Sequence, residues 1–317
     1  MKLYKLIIIG SGPAGLTAAI YASRAELSPL LLAGQSFGGQ LMLTTDVGNF
    51  PGFPEDIQGP ELMQRMIAQA KRFGTEVIFK NAEKLNFSTR PFKVWTDESE
   101  YQAEAVIIAT GASSMWLGLS SESRLMGRGV SSCATCDGFF FKNKKVVVVG
   151  GGDTAMEEAI FLTKFASEVT VVHRRDSLRA SKIMQVRARA NLKIKFIFET
   201  IVEDILGEEA VSAVKLKNLK SHQTVVLEAD GVFVAIGHKP NTEFLAESGI
   251  ELDKKGYIKL HEDSKTNLDG VFVAGDVHDH VYRQAITAAA VGCKAAMDAE
   301  RWLTQKTEQV TSSKQLN

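Results

Sequence analysis

The sequence predicts an α/β protein built from two parallel-sheet domains, one inserted into the other. The prediction rests on a pattern that occurs twice: an apolar run rich in β-branched residues, a glycine turn and a helix-like stretch. The first copy is Leu6–Ile9 followed by Gly10–Gly15, and the second is Val146–Val149 followed by Gly150–Ala155. Continuous apolar runs of this kind are typical of parallel strands that are covered on both faces.

Each copy of the pattern leads into further strand-like runs. Pro29–Ala33 follows in the first copy and Glu168–Val172 in the second, so each copy predicts a β-α-β unit. Two later apolar runs, Val106–Gly111 and Val232–Gly237, end at a glycine and close the stretch that each turn opened.

A third run of this kind, Val271–Asp276, comes after the second unit should be complete. The simplest arrangement is a first domain that is interrupted by the second and resumes near the C-terminus. The predicted bounds are residues 1–114 and 244–317 for the first domain and residues 115–243 for the inserted domain, with crossings near residues 113–116 and 241–245.

The composition is that of an ordinary globular protein. The 317 residues are 45% hydrophobic, and 37 basic side chains balance 37 acidic ones. A net charge of zero argues against a nucleic-acid binder or a basic membrane-surface protein, because both need a cationic face. The apolar run Leu6–Ile9 is too short for a signal-peptide core or a membrane span. We expect a soluble cytoplasmic protein without nucleic-acid or membrane partners, and a polar tail, Thr304–Asn317, without regular structure.

The two glycine turns predict two dinucleotide-binding sites. A helix N-terminus carries partial positive charge and free N–H groups that attract a pyrophosphate, and glycine lets the backbone approach it closely. One turn fits the G-x-G-x-x-G fingerprint and the other fits G-x-G-x-x-A. A lone match is weak, because glycine turns after strands are common, but two matches in the right context are much stronger. The assigned residues are Gly10, Gly12, Pro13, Ala14 and Gly15 in the first site, and Gly150, Gly152, Asp153, Thr154 and Ala155 in the second.

The residues after the second strand of each unit distinguish the two ligands. In the second unit His173-Arg174-Arg175 stands there, with Arg179 four positions on. An acidic residue at this place would bind the free ribose of NAD, whereas arginines pair with the 2′-phosphate of NADP. These residues therefore predict NADPH at the second site. The first unit has Ala33-Gly34-Gln35 at the corresponding place, without an acid.

Cys133-Ala134-Thr135-Cys136 is the only CxxC motif in the sequence, and Asp137 follows it. At this spacing two thiols can close a small disulfide ring, and each can lower the pKa of the other when reduced. Half of a zinc site is the competing interpretation, although a tetrahedral site needs four ligands. Asp137 can protonate a leaving thiolate if burial raises its pKa, or it can be a simple turn residue. Cys293 lies alone in a small-residue stretch, where we expect buried packing.

Two dinucleotide sites and a dithiol together predict a two-electron relay. Hydride would pass from NADPH to a flavin, the flavin would reduce the Cys133–Cys136 disulfide, and the dithiol would reduce an outside disulfide. A flavin is needed because hydride is not delivered directly to a sulfur pair at useful rates. The predicted cofactors are FAD and NADPH, with no metal.

These motifs together resemble the low-molecular-weight, bacterial-type thioredoxin reductase family, from about Lys5 to Trp302. The most specific of them is Cys133–Gly138, because this family carries its redox dithiol in the NADPH domain. Reductases of the glutathione reductase kind carry theirs near the first glycine motif. The other matching stretches are Gly38–Leu41, Asn49–Gly52, Gly150–Ala155, His173–Arg175, Gly275-Asp276 and Tyr282–Ala285.

The resemblance implies roles that the residues alone do not. Asp276 would meet the ribityl chain of FAD, and Cys136 would lie nearer the flavin than Cys133. Thioredoxin would be the protein substrate of a homodimer whose domains rotate against each other during turnover. The further FAD contacts that it implies are Gln40, Asn49, Gly111, Arg283, Gln284 and Ala285.

Three other interpretations stay open at this point. The flavoprotein of an alkyl hydroperoxide reductase system, which serves a peroxiredoxin, shares this core but normally has an N-terminal region with its own CxxC. No such motif precedes Gly10. Ferredoxin-linked relatives lack either the nicotinamide fingerprint or the dithiol. A non-catalytic nucleotide- or zinc-binding module would use the CxxC structurally, and bound zinc without flavin colour would favour it.

Overall fold

The computed structural model describes residues 2–315. They form two compact units: the first holds the chain up to Ser113 and from Lys239 onward, and the second is Ser114–His238. The second crossing thus comes before the predicted boundary at residue 243. Asn241 explains this, because its backbone N–H donates to the Gly111 carbonyl at 3.0 Å and its side-chain amide to the Thr110 carbonyl at 2.8 Å. These bonds tie Asn241 to the first unit.

Strands account for most of the elements between residues 2 and 315. The strands are β1 (Leu3–Ile9), β2 (Leu30–Leu32), β3 (Asp46–Val47), β4 (Ile57–Gln58), β5 (Glu76–Ile78), β6 (Lys84–Asn86), β7 (Phe92–Trp95), β8 (Glu100–Ile108), β9 (Ala112–Ser114), β10 (Val130–Ser131), β11 (Lys145–Val149), β12 (Glu168–Val172), β13 (Ile194–Ile197), β14 (Thr200–Leu206), β15 (Ala213–Asn218), β16 (Thr224–Glu228), β17 (Gly231–Val234), β18 (His238–Pro240) and β19 (Val271–Val273). The helices are α1 (Pro13–Arg24), α2 (Gly59–Arg72), α3 (Ser120–Leu125), α4 (Ala134–Asp137), α5 (Asp153–Leu162), α6 (Lys182–Ala190) and α7 (Ala285–Gln315). Short 3₁₀ helices cover Gly39–Leu43, Gly138–Phe141, Glu243–Leu245 and Gly275–Val277.

The first unit is built on a mixed sheet in the order β5-β2-β1-β8-β7-β6, with β19 also pairing with β8. β1 runs parallel to β2, with Ile7 opposite Leu30, and parallel to β8. Leu6 and Ile8 pack on one face with residues of α1, α2 and α7. Ile7 and Ile9 pack into a second core on the other face. This burial on both faces explains why β1 is apolar at successive positions.

The second unit repeats this arrangement. Its parallel sheet has the order β10-β17-β11-β12-β13, and a separate antiparallel sheet has the order β14-β15-β16. Val146 and Val148 of β11 pack with residues of α5 and α6. Val147 and Val149 point to the other face and pack with residues of β14 and β15. As in β1, the continuous apolar run reflects a strand that is covered on both sides.

Both units are Rossmann-like, since in each a parallel strand leads through a glycine turn into a helix. The predicted fold class, two such domains with one inserted into the other, is confirmed. Within residues 2–315, no helix combines the length and the apolar character that crossing a bilayer requires.

Helix α7 extends further than the sequence predicted. It reaches Gln315, so the expectation that residues from Thr304 lack regular structure is wrong up to that point. Leu316 and Asn317 lie outside the described residues. The inner face of α7 is packed as far as Leu303, which is 6% exposed. Once packing has nucleated a helix, each further residue adds one hydrogen bond at little entropic cost, so a polar segment can continue it.

Candidate active site

The first glycine turn lies between the end of β1 and the start of α1. Gly10 has φ +110°, and its N–H donates to the Leu32 carbonyl at 2.9 Å. A Cβ on Gly10 would lie 2.3 Å from the Ala109 carbonyl oxygen, and one on Gly15 would lie 1.8 Å from the Gly10 carbonyl oxygen. Both contacts are with backbone, which cannot move aside, so these two positions require glycine.

Gly12 differs from Gly10 and Gly15, because the surrounding polypeptide leaves room for a side chain at this position. It is the N-cap of α1, it makes no side-chain cap, and a Cβ there would meet no atom within 4 Å. The N–H groups of the first helical turn, which begins at Pro13, have no intrahelical acceptor. The open space beside Gly12 can therefore take an anionic group such as a phosphate.

Gly12→Ala should separate folding from ligand binding. The ligand-free protein should keep its unfolding midpoint, because the added methyl group meets nothing in the polypeptide. Affinity for FAD, the ligand predicted here, should fall roughly ten- to a hundredfold, since overpacking typically costs ~1–3 kcal/mol. Thermal unfolding and FAD titration measure the two effects. The matched Gly15→Ala variant should lose both stability and affinity, and an unchanged FAD affinity in Gly12→Ala would contradict the interpretation.

The segment that carries Gln40 packs beside the first turn. The Gly38 N–H donates to the hydroxyl of Ser11, within the turn, at 3.0 Å. A Cβ on Gly39 would lie 3.7 Å from the Cα atom of Gly12. Gln40 follows in the 3₁₀ helix and its side chain is exposed, so it is available to a ligand at this turn.

Other predicted residues of this site lie at element ends. Asn49 and Gln284 meet although they are far apart in sequence, because Nδ2 of Asn49 lies 3.3 Å from Oε1 of Gln284. Gln284 directly precedes Ala285, the first residue of α7. Gly111 follows the carboxyl end of β8 and has φ +68°. In a parallel sheet, ligands bind outside the carboxyl ends of the strands, which is where Gly111 lies.

Asp276 follows β19 beside α1. The neighbouring Gly275 packs closely on Ala14, since a Cβ on Gly275 would lie 2.8 Å from the Ala14 Cβ. Burial and the charge of Asp279 raise the pKa of Asp276 to about 6, and Arg283 opposes the rise. The structure thus places Asp276 and Arg283 near each other, on the segment that also carries Gln284.

In the ligand-free protein, Asp276 should make stability fall as pH rises from about 4 to about 6. Its folded-state pKa of about 6 lies above the ordinary value of 3.8. The folded form therefore binds the proton more tightly, and the free energy of unfolding declines as that proton leaves. The difference corresponds to about 3 kcal/mol. Asp276→Asn should abolish the decline, which urea unfolding at a series of pH values measures; identical profiles for the two proteins would contradict the expectation.

The second glycine turn repeats the geometry of the first. Gly150 has φ +156°, and its N–H donates to the Val172 carbonyl at 3.1 Å. A Cβ on Gly150 would lie 2.4 Å from the Ala235 carbonyl oxygen and 2.8 Å from the methyl group of Ala155. Gly152 is the N-cap of α5, without a side-chain cap, and a Cβ there would meet no atom within 4 Å. This turn also leaves room for a phosphate at a helix N-terminus.

The predicted arginines follow β12 and are tied to the second turn through the backbone. Arg174, Arg175 and Arg179 are all exposed. The N–H groups of Arg179 and Ala180 donate to the Gly151 carbonyl at 2.7 and 3.0 Å. These bonds hold the arginine segment at the glycine turn, as the 2′-phosphate interpretation requires.

Three residues predicted for the second site have different environments. His173 is buried, so its ring is not available at the surface. Oδ1 of Asp153 accepts hydrogen bonds from the N–H and the hydroxyl of Ser181, both at 2.8 Å. Asp153 therefore holds the residues after the arginines. Thr154 lies partly exposed in the first turn of α5.

Cys133 and Cys136 form a disulfide with their Cα atoms 5.3 Å apart, which confirms the predicted ring. The Cys136 N–H lies 3.2 Å from Sγ of Cys133, and the Thr135 hydroxyl lies 3.3 Å from the same sulfur. Both groups can stabilise a negative charge on that sulfur once the disulfide is reduced. Among residues 2–315, no group of three or more His, Cys, Asp or Glu side chains could hold a metal ion.

Asp137 ends the short helix α4. Burial raises the pKa of its carboxyl above the ordinary value, and a hydrogen bond with Ser131 partly opposes the rise. The Ser131 hydroxyl also accepts the Cys133 N–H at 3.0 Å. A carboxyl with a raised pKa keeps its proton to higher pH, so Asp137 meets the condition that proton donation to a thiolate requires.

Sequence reasoning missed two exposed aromatic residues next to the disulfide. Phe139 is 69% exposed and Phe140 is 43% exposed, whereas Phe141 is buried against Phe233. The sequence does contain a signal, since three consecutive phenylalanines follow the CxxC motif. Three adjacent side chains cannot all point into the same buried face. Exposed apolar side chains beside a reactive group are suited to contact a protein substrate.

Comparison with known proteins agrees with this geometry. The family model described as pyridine nucleotide-disulphide oxidoreductase matches residues 4–292. The chain is 55% identical over 306 residues to the thioredoxin reductase of Rickettsia bellii, covering 95% of this chain and 98% of that protein. It is 50% identical over 309 residues to that of Coxiella burnetii, covering 95% and 96%. The structure of thioredoxin reductase from Giardia duodenalis superimposes with a TM-score of 0.92 at 44% identity, covering 96% of this chain and 100% of that one.

The chain belongs to the pyridine nucleotide-disulphide oxidoreductase family. It is an NADPH-dependent flavoprotein, and its cofactors are FAD and NADPH. The structure of this oxidoreductase fits two such groups, because Gly12 and Gly152 each leave space open at an uncapped helix N-terminus. The redox disulfide lies in the same unit as the second turn.

Proposed function

We propose that this oxidoreductase is a thioredoxin-disulfide reductase. The observation that carries the proposal is the Cys133–Cys136 disulfide, which lies beside the half-buried Asp137 and the exposed Phe139. Once the disulfide has been reduced to two thiols, such a pair of sulfurs can exchange with an outside disulfide. Relatives named thioredoxin reductase, 50 to 55% identical over nearly the whole chain, support the choice of thioredoxin as the partner.

The proposal assigns FAD to the first unit and NADPH to the second. In the first unit Gly10, Gly12 and Gly15 would hold the FAD pyrophosphate, with Asp276 and Arg283 at the ribityl and flavin portions. In the second, the Gly150–Ala155 turn would hold the NADPH pyrophosphate, with the 2′-phosphate on the arginines. When bound, NADPH supplies a hydride and FAD passes the two electrons on to the disulfide.

The surroundings of the Cys133 sulfur suit it to carry a thiolate. Its Sγ has the Cys136 N–H at 3.2 Å and the Thr135 hydroxyl at 3.3 Å. The Cys133 thiolate would attack one sulfur of the substrate disulfide, forming a mixed disulfide and releasing the other substrate sulfur as a thiolate. Cys136 would then attack Sγ of Cys133, which restores the enzyme disulfide and releases the second substrate thiolate. Both leaving thiolates take up protons.

Asp137 would supply the proton that a leaving thiolate needs. Replacing it with Asn removes that proton and keeps the shape of the side chain. We expect turnover with thioredoxin to fall about a hundredfold or more, the usual contribution of a positioned acid, while flavin reduction by NADPH stays unchanged. Steady-state assays and anaerobic stopped-flow absorbance measure the two rates. If Asp137→Asn slowed flavin reduction as much as turnover, its role would be structural.

Phe139 and Phe140 would form part of the surface that meets thioredoxin. They stand three and four residues after Cys136, and each is at least 43% exposed. An apolar contact next to the exchanging sulfurs would position a protein substrate without touching the chemistry.

An NADPH-driven assay of the purified protein tests the proposed function. Thioredoxin is the substrate, and a glutaredoxin and a peroxiredoxin are the comparators. We expect turnover with thioredoxin to exceed that with either comparator by at least about a hundredfold in kcat/KM. Preferred turnover of the peroxiredoxin would instead identify a hydroperoxide-linked flavoprotein.

The family likeness also supports a homodimer located in the cytoplasm. Sedimentation of the purified protein should give a species of twice the 34.6 kDa of one chain. A single-chain species at micromolar concentration would contradict the assembly.

A further inference from the structure

Gly151, the middle glycine of the second turn, is required for a reason that the dinucleotide fingerprint does not contain. Its φ is not in the left-handed region, so the backbone alone permits other residues. A Cβ at this position would lie 2.3 Å from Cε1, 2.4 Å from Nδ1 and 2.6 Å from Nε2 of His173. The edge of the imidazole ring therefore occupies the space that a side chain at Gly151 would need.

His173 is held firmly in that place. It is 5% exposed, and the backbone of Ser177 makes a hydrogen bond with its ring. Nε2 is buried and has no hydrogen-bond partner among the described residues. Burial, together with the charges of Arg179, Arg175 and Arg174, lowers the pKa of His173, which favours the neutral form of the ring. A neutral ring can pack against a glycine without repelling the three arginines.

The same segment is bonded to the turn at its other end. The Gly151 carbonyl accepts the N–H groups of Arg179 at 2.7 Å and Ala180 at 3.0 Å. Gly151 thus contacts the segment that carries the arginines at two places. The His173 ring lies against the Gly151 α-carbon, and the Gly151 carbonyl accepts hydrogen bonds from the backbone at the other end of the segment. Both contacts constrain the position of the segment that lies between them.

We propose that His173 and Gly151 form a matched pair that sets the position of Arg174, Arg175 and Arg179 relative to the glycine turn, and thereby the preference for a 2′-phosphate. His173 is a positioning residue in this account and does not contact the cofactor. The proposal rests on the assignment of NADPH to the second turn. It differs from the sequence-based expectation that His173 binds the cofactor together with the three arginines.

A double-mutant cycle on Gly151→Ala and His173→Ala tests the pair. The measurement is the dissociation constant of NADP⁺, by calorimetry on the oxidised FAD-bound protein. We expect Gly151→Ala to weaken binding about tenfold or more in the wild-type background and less than about twofold in the His173→Ala background, because the methyl group then has room. An equal effect in both backgrounds would mean that Gly151 is needed for close approach of the cofactor, which would overturn the proposal.

His173→Asn is the second variant, and it does not depend on tolerating an added methyl group. It shortens the side chain and keeps a hydrogen-bonding group near Ser177. Affinity for NADP⁺ should fall about tenfold while affinity for NAD⁺ changes less than about threefold, because NAD⁺ depends on the turn alone. An equal loss for both nucleotides, or no loss, would refute the positioning role. Unfolding midpoints and flavin absorbance confirm that each variant is folded.

The Arg174→Ala, Arg175→Ala double variant distinguishes an error in the NADPH assignment from an error in the pairing of His173 with Gly151. If it leaves the preference for NADP⁺ over NAD⁺ unchanged, the assignment of NADPH to this turn is wrong and the proposal falls with it. If it abolishes the preference but the cycle shows no coupling, the assignment stands and only the pairing of His173 with Gly151 is wrong.

Discussion

Cys136→Ser should abolish reduction of thioredoxin and leave reduction of the flavin by NADPH intact. Without the Cys136 sulfur there is no Cys133–Cys136 disulfide to accept electrons and no thiolate to resolve a mixed disulfide. Removing a covalent participant of this kind costs at least about a thousandfold in turnover. Anaerobic stopped-flow absorbance follows the flavin, and a steady-state assay with thioredoxin follows turnover. Turnover above about a tenth of wild type in this variant would contradict the assignment.

Cys293→Ser is the matched control for the cysteine prediction. The sequence suggested buried packing for this residue, but the structure leaves it only partly buried on α7, with its sulfur 3.9 Å from the Met297 sulfur. It lies in the first unit, whereas the disulfide lies in the second. Both rates should stay within about twofold of wild type, because Cys293 takes no part in the proposed sulfur exchange.

Replacing Arg174 and Arg175 together with alanine should raise the KM for NADPH about a hundredfold and change the KM for NADH little. Each arginine would make a charge-assisted hydrogen bond to the 2′-phosphate, and bonds of this type contribute roughly 1.5–3 kcal/mol. Both side chains are exposed, so their joint contribution is set near the low end, at about 3 kcal/mol. NADH has no phosphate at that position. Initial rates of flavin reduction at varied NADPH and NADH measure the two KM values.

The matched control removes two adjacent positive charges from the same unit at the opposite edge of its sheet. Lys145 is the first residue of β11 and Lys144 precedes it, whereas the arginines follow the carboxyl end of β12. Lys144→Ala with Lys145→Ala should leave both KM values unchanged within about twofold, because screening at physiological salt limits the range of exposed charges to roughly 8 Å. Equal effects of the two double variants would show a general charge effect rather than phosphate recognition.

Much of the fold could be predicted from sequence because its signals are local. β1 and β11 are apolar at successive positions because both faces of each strand are buried, and these apolar runs can be recognised in the sequence. The positions of Gly10 and Gly150 were likewise readable, because a turn between a strand and a helix needs a positive φ at that point. The disulfide followed from a spacing of three residues.

Other features could not be predicted because they depend on contacts between distant residues. Asn241 belongs to the first unit because it is hydrogen-bonded to Thr110 and Gly111. The second crossing between the units therefore comes earlier in the chain than predicted. The His173 ring occupies the space beside Gly151, and Asp153 accepts a hydrogen bond from Ser181. Sequence-based assignment treats each motif residue as a ligand, whereas packing decides which side chains reach the surface.

The sequence by itself determined the strand, turn and helix pattern of both units, the places of the two glycine turns to which we assign phosphate binding, and the pair of cysteines that forms the disulfide. These features follow from short-range chemistry: the period of apolar residues, the backbone freedom of glycine and the reach of two thiols three positions apart. Only the tertiary structure decided that His173 is buried while the arginines are exposed, and that burial raises the pKa of Asp137. Burial and hydrogen-bond partners arise between segments distant in the chain, so no local pattern specifies them.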